Sequence, residues 1–303
     1  MKKGAKILSV ILAVAVAVGI GTVMMSKSND KDFGEIKIDS IPAKSENATR
    51  VMSFNVRCIS DDNGHTIQNR SQLVTAVLEQ YAPDSFGVQE ATPKWIKILD
   101  KEFGEKYARV GEGRSPIEMF TEYSAVYYLE DKYNLIDSGT IWLSETPEKK
   151  YTKDFESKHN RIASWAVLED KETGMKYTHI NTHLDHVLES TRVEQVKVLK
   201  AKIAELEKET TVICTGDFNT FETGEAYAEM RKCMDDAKLI ATSSDTGITF
   251  HNYGAIKEHE DGAIDFVFTT KATKADTYKI IRDCIDGIYP SDHYPIMADL
   301  ILE

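Results

Sequence analysis

A chain of 303 residues, 42% of them apolar, is long enough to bury a sizeable core in one large domain or two ordinary ones. Its 37 basic and 49 acidic residues give a net charge of −12, so its overall field repels phosphate polymers at long range. This charge disfavours an extended, sequence-blind nucleic-acid clamp. It does not rule out a nuclease, because bound cations and local arginines can reverse the field inside a cleft.

The first 25 residues differ in character from the rest of the chain. Three lysines precede an uncharged apolar stretch from Ile7 to Met25, which has about the length that crosses a bilayer. The residues after it lack the small-residue pattern of a signal-cleavage site. We therefore predict an uncleaved single-pass membrane anchor over residues 1–25, with the remainder outside the cytoplasm. Secretion after signal cleavage is the alternative.

Residues 26–48 are rich in Lys, Asp, Ser, Asn and Glu. Such a composition buries too little apolar surface to fold alone. We predict that this segment is a flexible tether, and that a catalytic domain occupies residues 49–303.

Strands and helices alternate in the first part of that domain. A strand is predicted over 51–56 and a helix over 70–81, where apolar residues recur at helical spacing. A short buried strand over 85–89 follows, and Pro93 begins a second helix.

The remainder is richer in strands. These are predicted over 123–128, 140–144, 164–168 and 176–181, with turn signals between them. A helix over 190–208 leads into a strand that ends at Asp217, and strands over 263–268 and 296–301 complete the pattern. This order predicts an α/β fold, a four-layered α/β sandwich in which two packed mixed β-sheets are flanked by helices.

Four cysteines, Cys58, Cys214, Cys233 and Cys284, show no paired metal spacing. Cys58 and Cys214 lie in apolar, strand-like runs, where a small buried thiol is the commoner explanation. An exported location would also permit a disulfide between them, and the sequence leaves both readings open.

Polar motifs stand at the strand ends or in the turns just past them. They read Phe-Asn-Val-Arg at 54–57, Gln-Glu at 89–90, Thr-His at 182–183, Gly-Asp-Phe-Asn at 216–219, Ile-Asp at 264–265 and Ser-Asp-His at 291–293. A packed sheet can hold several such loops against one cleft. Carboxylates, an amide and imidazoles in one cleft are typical of a site that binds a divalent cation and attacks a phosphorus atom.

In this order the six motifs resemble those of the endonuclease/exonuclease/phosphatase superfamily, the deoxyribonuclease I-like metal-dependent phosphoesterases. The resemblance covers about residues 49–303, and the segment over 139–147 together with Arg161 is similar to a compact bacterial exported branch. Each motif alone is weak evidence, whereas six in the right order are specific. The resemblance implies the sandwich fold and hydrolysis of a phosphate ester.

The resemblance also implies a metal site and phosphate contacts. Glu90 would bind the catalytic Mg²⁺, for which Mn²⁺ is a possible substitute, and Asn55 and Asp292 are further candidate ligands. Asn55, Arg57 and Arg161 would contact the substrate phosphate. Arg57 stands where the abasic-site enzymes of the family carry an acidic residue, so the number of metal ions stays open.

The catalytic residues implied by the resemblance are His183, Asp217, Asn219, Asp265 and His293. Asp217 would orient or deprotonate water, or contribute to a second metal site. Asn219, on the same side of an extended segment, would hydrogen-bond a phosphate oxygen. Asp265 would fix the ring of His293, the expected base. His183 would contact phosphate or assist the leaving group.

Each residue also has a more ordinary explanation when taken alone. A strand-end glutamate is most often a solvated charge, and an Asx turn after a strand would account for Asp217. Three further cations, His159, Arg70 and Arg192, are candidates for the cleft, although each serves more often as a salt-bridge partner.

We predict a Mg²⁺-dependent phosphoesterase that acts outside the cytoplasm, with nuclease-like hydrolysis of nucleic-acid or nucleotide phosphodiesters favoured. Ala91-Thr92-Pro93 lacks the arginine with which deoxyribonuclease enters a DNA groove, which disfavours duplex DNA. A phosphatase or phospholipase-type hydrolase of a lipid or sugar phosphate is the alternative, and a non-catalytic surface binding module is the second. No obligate protein partner is inferred, and the oligomeric state stays open.

Overall fold

The computed structural model describes residues 30–38, 41–257, 262–270 and 273–302. The anchor predicted over 1–25 lies outside these residues. None of the helices within the described ranges combines the length and the hydropathy that a bilayer crossing requires.

The strands and helices follow one another closely along the described chain. In chain order the strands are β1 (Ala48–Asn55), β2 (Ser85–Ala91), β3 (Tyr107–Val110), β4 (Tyr123–Leu129), β5 (Tyr133–Trp142), β6 (Ile162–Asp170), β7 (Lys176–His183), β8 (Thr211–Asp217), β9 (Met234–Asp236), β10 (Ala241–Ser244), β11 (Asp265–Thr270), β12 (Lys274–Ile280) and β13 (Ile296–Ile301). The helices are α1 (Ile67–Tyr81), α2 (Pro93–Phe103), α3 (Glu189–Leu206), α4 (Glu225–Arg231) and α5 (Ala237–Ile240).

These strands form two mixed sheets. The first has the order β10-β12-β13-β1-β2-β4-β3, and the second has the order β5-β6-β7-β8-β11-β9. Strands β1 and β2 are parallel, as are β7 and β8, and most other neighbours are antiparallel. The predicted α/β sandwich of two packed mixed sheets flanked by helices is confirmed.

Alternating side chains along the central strands fill separate cores. In β1, Met52 and Phe54 pack with α1 and α2, whereas Val51 packs in the core that the two sheets share. A third core lies between the second sheet and helices α3 and α4. A strand covered on both faces reads as a continuous apolar run, which is why the sequence reveals these central strands.

Local sequence explains where helix α1 begins. Thr66 accepts a hydrogen bond from the backbone N–H of Asn69 and so caps the helix. The helix therefore begins at Ile67, three residues before the predicted start. Residues 36–38 of the predicted tether lie against this helix, because the Gln80 amide bonds the backbone of Ile36 and Ile38.

An inter-sheet network of Gln89, Asn181 and Thr215 ties the two sheets together beside the strand ends. The Asn181 side-chain oxygen accepts from Gln89 Nε2 at 2.6 Å and from Thr215 Oγ1 at 3.0 Å. Its amide nitrogen donates to two carbonyl oxygens of the first sheet, at 2.9 and 3.0 Å. A Cβ at Gly87 would lie 2.4 Å from this side chain, so only glycine permits the close approach.

All four cysteines are free thiols in the structure, so Cys58 and Cys214 do not form a disulfide. Cys214 is buried in strand β8, as expected. Cys58 is half-buried and follows the end of β1 instead of lying in a strand, because the chain leaves the sheet at Asn55.

Candidate active site

A cleft of about 430 Å³ opens where strand ends of the two sheets meet. Most of the site residues predicted from the sequence line it, namely Arg57, Glu90, Arg161, His183, Asp217, Asn219, Asp292 and His293. Asn55 and Asp265 lie behind them and are hydrogen-bonded to lining residues. The structure therefore brings the whole predicted set together.

Each sheet supplies half of the acidic part of the cleft. Glu90 stands near the end of β2, and Asp292 lies in the turn before β13, both in the first sheet. Asp217 ends β8 and Asp265 opens β11 in the second sheet, where the two residues pair across the ladder. We refer to these four carboxylates, Glu90, Asp217, Asp265 and Asp292, as the acidic floor.

Asn55 joins the two halves of the acidic floor. Its Nδ2 donates to Asp217 Oδ2 at 2.9 Å and to Glu90 Oε1 at 3.1 Å. Its Oδ1 accepts from the backbone N–H of Arg57 at 3.0 Å. The amide thus sits fully buried between two carboxylates, and no hydrophobic residue could replace these bonds.

The backbone at Glu90 is unusual, with φ at 56°, beside a register shift between β2 and β4. A left-handed conformation costs a non-glycine residue about 1 kcal/mol, and it turns this carboxylate toward the cleft. Burial acts to raise the pKa of Glu90. Hydrogen bonds from Cys58 and Asn55 and the charge of His293 outweigh burial, so the pKa lies below its ordinary value.

His293 sits among carboxylates of the second sheet. Its Nδ1 is 2.9 Å from Asp265 Oδ2, and its Nε2 is 3.8 Å from Asp217 Oδ2. Burial lowers the pKa of His293, but the two carboxylates outweigh it and raise the pKa well above its ordinary value. Burial and the neighbouring Asp265 charge raise the pKa of Asp217.

The donor atoms fit a divalent cation. The acidic floor gathers four carboxylates in one largely buried site. The positive charges beside them are those of His293 and Arg57, and Arg57 Nε lies 3.5 Å from Asp292 Oδ2. Such an excess of buried negative charge is costly without a cation. Glu90 and Asp292 offer the hard oxygen ligands that Mg²⁺ prefers. Among the described residues, Asp217, Asp265 and His293 also place one donor atom each within 4.8 Å of one another.

Opposite in charge is a group that we call the basic wall: Arg114, His159, Arg161 and His186. Arg161 is only 4% exposed, yet its Nε and Nη1 atoms have no hydrogen-bond partner among the described residues. Its Nη2 donates to His186 Nδ1 at 3.0 Å, which leaves the proton of that ring on Nε2. Burial, followed by the charge of Arg114, lowers the pKa of Arg161 to about 10.

The two histidines of the basic wall are neutral at physiological pH. Their rings stack with centroids 5.8 Å apart. Burial lowers the pKa of His159 to about 4, and the charges of Arg114 and Arg161 add to that effect. Burial also lowers the pKa of His186, and Arg161 contributes. The cationic charge of the wall therefore resides on its arginines, of which Arg114 is paired with Glu122 at 2.6 Å.

His183 lies between the acidic floor and the basic wall. Its Nε2 is 3.5 Å from Asp217 Oδ2. Burial, with the charges of Arg161 and Arg114, lowers the pKa of His183 well below its ordinary value. The ring is therefore neutral and suited to hydrogen bonding with a phosphate oxygen.

The expectation that Asp217 and Asn219 share one side of an extended segment is wrong. Asn219 adopts φ of 49°, and its N–H donates to Asp217 Oδ1 at 2.9 Å in an Asx turn. Both side chains nevertheless line the cleft, because the turn curls around it. Asn219 Nδ2 donates to the carbonyl of Leu184 at 3.1 Å, which fixes the amide.

Two of the candidate cations are structural. Arg70 is fully buried and donates to the carbonyls of Val56, Arg57, Ile59 and His65. It therefore shapes the loop after β1. Arg192 pairs with Glu189 and donates to the Asp185 carbonyl at 2.9 Å. Neither lines the cleft, whereas His159 does.

Sequence reasoning missed Arg114 and its partner Glu122. Both stand in the irregular segment between β3 and β4, outside any motif at a strand end. His186 lies in the His-Leu-Asp-His run at 183–186, so its spacing from His183 is the one signal that could have placed it beside the cleft.

Comparisons with known proteins agree with this geometry. The family model described as the Endonuclease/Exonuclease/phosphatase family matches residues 52–293. A structure of an endonuclease/exonuclease/phosphatase from Bacteroides vulgatus is 31% identical, with a TM-score of 0.79 over 84% of this chain and 99% of that one. A mannosyl-6-phosphatase from Bacteroides thetaiotaomicron is 27% identical, with a TM-score of 0.76 over 83% of this chain and 98% of that one.

More distant structures share the fold alone. The human Nocturnin catalytic domain is 21% identical, with a TM-score of 0.66 over 85% of this chain and 94% of that one. The search of curated protein sequences found no match.

Proposed function

Because this chain belongs to the endonuclease/exonuclease/phosphatase family, whose members hydrolyse phosphate esters and use divalent metal ions, we propose that it is a Mg²⁺-dependent hydrolase of small phosphate esters. One observation carries the proposal: Asn55 bridges Glu90 to Asp217, and the Asp265–His293 pair lies beside that bridge in the same cleft. Ligand oxygens, a positioned imidazole and phosphate donors are thus assembled together.

Glu90 and Asp292 are the residues proposed to hold the cation. A bound divalent cation supplies charge neutralisation at the phosphate oxygens as the ester bond breaks. Mn²⁺ offers a similar preference for oxygen ligands and is a possible substitute. The Asn55 amide keeps the Glu90 and Asp217 carboxylates apart and oriented by bonding both.

The chain's own groups provide proton transfer and phosphate binding. Asp265 bonds Nδ1 of His293, so Nε2 is the nitrogen that exchanges a proton with water or the leaving group. Asp217 orients the attacking water. His183 and Asn219 face the position of the phosphate oxygens, where donors stabilise developing charge. The N–H groups of Arg161 that have no partner among the described residues bind the substrate phosphate.

A small phosphorylated molecule is the substrate class that the cleft supports best. The similarity to a mannosyl-6-phosphatase favours a sugar phosphate, and the net charge of −12 disfavours a long polyanion. The nucleotide or nucleic-acid diester favoured by the sequence becomes the second candidate. The short cleft of about 430 Å³ accommodates a nucleotide more readily than a duplex.

Hydrolysis of model esters tests the proposal. We expect turnover of p-nitrophenyl phosphate or bis-p-nitrophenyl phosphate by residues 30–303 with Mg²⁺, and its loss on addition of EDTA. A panel of mannose 6-phosphate, nucleotides, single-stranded DNA, phosphoinositides and sphingomyelin then identifies the class. A folded protein that turns over none of these esters with Mg²⁺ or Mn²⁺ would instead be a binding module.

We also propose that the enzyme acts outside the cytoplasm, anchored through residues 1–25. The support for this is the lysine-flanked apolar run of the sequence. Proteolysis of intact cells carrying the full chain should remove the catalytic domain while cytoplasmic markers survive. Protection of the domain until the cells are lysed would contradict the proposal.

A further inference from the structure

The cleft continues into a second lobe of about 470 Å³. The two lobes share Cys58, Arg114, Glu122 and His159. None of the acidic-floor residues lines the second lobe, which is instead reached by Lys153 and Lys158. The second lobe is therefore continuous with the reactive cleft, and its two lysines are absent from the lining of that cleft.

The second lobe is cationic in an acidic protein. Arg114, Lys153 and Lys158 contribute three positive charges to its lining, and Glu122 contributes one negative charge. Within the described part of the chain, Lys153 and Lys158 form no ion pair. A local excess of positive charge in a chain of net charge −12 concentrates an anion beside the reactive cleft.

The loops that carry these cations are held in place. Asn160 Nδ2 donates to the carbonyl of Arg114 at 3.0 Å and so links the two loops. The Lys158 N–H donates to Asp185 Oδ2 at 2.9 Å, and Thr191 Oγ1 donates to the Phe155 carbonyl at 2.5 Å. Because these loops are held before binding, the ordering that a ligand requires falls mainly on the exposed side chains of Lys153 and Lys158.

We propose that the second lobe is a subsite for a second anionic group of the substrate, so that the enzyme prefers phosphate esters carrying a second phosphoryl group. This inference rests on the proposed hydrolase function. The reacting phosphate lies over the acidic floor, and the second phosphoryl group accepts hydrogen bonds from Arg114, Lys153 and Lys158. A sugar bisphosphate and a nucleotide bisphosphate share this chemistry.

An apolar occupant fits the lobe less well. Ile59 and Met119 stand at its edge, 52% and 79% exposed, and could contact an alkyl chain. Such a chain would also cover the Arg114–Glu122 pair and part of two lysines, whose desolvation is unfavourable. A phosphoryl group instead gains charge-assisted hydrogen bonds from the same side chains.

Matched substrates test the subsite. We compare glucose 6-phosphate with glucose 1,6-bisphosphate, and adenosine 5′-phosphate with adenosine 3′,5′-bisphosphate, by kcat/KM for phosphate release with Mg²⁺. The bisphosphate of at least one pair should be preferred about tenfold, as expected for partly exposed charge-assisted bonds. The pair that shows the preference identifies the sugar or the nucleotide as the source of the second group.

A double variant, Lys153→Glu with Lys158→Glu, should bring that preference ratio to about one. The charge-matched control, Lys171→Glu with Lys208→Glu, alters two exposed lysines that do not line the lobe and should keep the ratio. An unchanged ratio in the first variant, or a preference for a monophosphate with an alkyl chain, would overturn the subsite.

Calorimetric Kd values for the same four compounds separate the two proposals. If no ester is turned over but the bisphosphates bind more tightly and lose that advantage in the Lys153→Glu, Lys158→Glu variant, the hydrolase function fails and the anion subsite stands. If turnover occurs and neither kcat/KM nor Kd favours a bisphosphate, the subsite fails and the hydrolase function stands.

Discussion

The acidic floor and the basic wall face the same cleft but are built in different ways. The floor comes from strand ends and adjoining turns of both sheets. Asn55 donates hydrogen bonds to Glu90 and Asp217, and His293 is hydrogen-bonded to Asp265. The wall comes from the segments before β4 and β6 and from the turn after β7. The Nε and Nη1 atoms of its Arg161 have no hydrogen-bond partner within the described part of the chain. A rigid reacting centre thus faces a loop-borne surface that is completed by a ligand.

The largest effect should come from the floor, in Glu90→Gln. Loss of a carboxylate ligand should lower kcat about a thousandfold, or ~4 kcal/mol in the activation free energy, in a p-nitrophenyl ester assay with Mg²⁺. The exposed Glu209→Gln change is the matched control. Full activity of Glu90→Gln would show that this carboxylate does not bind the cation. It would also contradict the prediction that the floor controls kcat while the wall controls substrate binding.

His293→Ala should cost kcat about 10²-fold, at the lower end of the range for a general acid or base. Asp265→Asn should act through the same ring, because its carboxylate holds His293 Nδ1 at 2.9 Å. The double variant should therefore lose little more than His293→Ala alone. Additive losses in kcat would contradict the assignment of these two residues as one unit.

The wall should respond through binding. In Arg161→Met the KM should rise about 10- to 100-fold, as expected for lost charge-assisted hydrogen bonds, with a smaller change in kcat. The free energy of unfolding should rise or stay constant, since the variant removes a buried cation with unpartnered donors. A fall in kcat with unchanged KM would place Arg161 with the reacting centre instead.

The smallest effect expected is that of Asn219→Ala. One neutral hydrogen bond to phosphate is worth about 0.5–1.5 kcal/mol, so kcat/KM should fall about tenfold or less. The same variant loses the hydrogen bond from Asn219 to the Leu184 carbonyl, so its thermal melting temperature is measured to check that the fold is retained. A loss greater than that of His293→Ala would contradict the assignment of Asn219 as a phosphate-positioning residue and of His293 as the acid or base.

The sequence reveals the floor because its residues stand at the ends of buried strands. β1, β2 and β8 are apolar runs covered on both faces, and each carries a polar residue at or next to its last position. Asn55, the last residue of β1, stands out in the sequence because an amide in an apolar strand-like run competes for backbone hydrogen bonds. The residues that line the cleft could thus largely be predicted, although the turn at Asn219 could not.

The parts that escape prediction lack periodic burial. β5 begins at Tyr133, seven residues before its predicted start, because residues 134–138 are exposed in an edge strand. Strands β3, β9, β10 and β12 have little or irregular apolar alternation and were not predicted. Arg114 escapes for a related reason: its loop is placed by tertiary bonds such as that from Asn160.

The inter-sheet network has a consequence for how the protein loses activity. Glu90 and Asp292 are held by the first sheet, and Asp217 and Asp265 are held by the second. The hydrogen bonds of Asn181 fix the distance between the two sheets. Turnover measured during chemical denaturation therefore reports whether the two sheets remain packed together. A partly unfolded state that retained its far-ultraviolet circular dichroism but had its two sheets separated would be inactive, even with every strand intact.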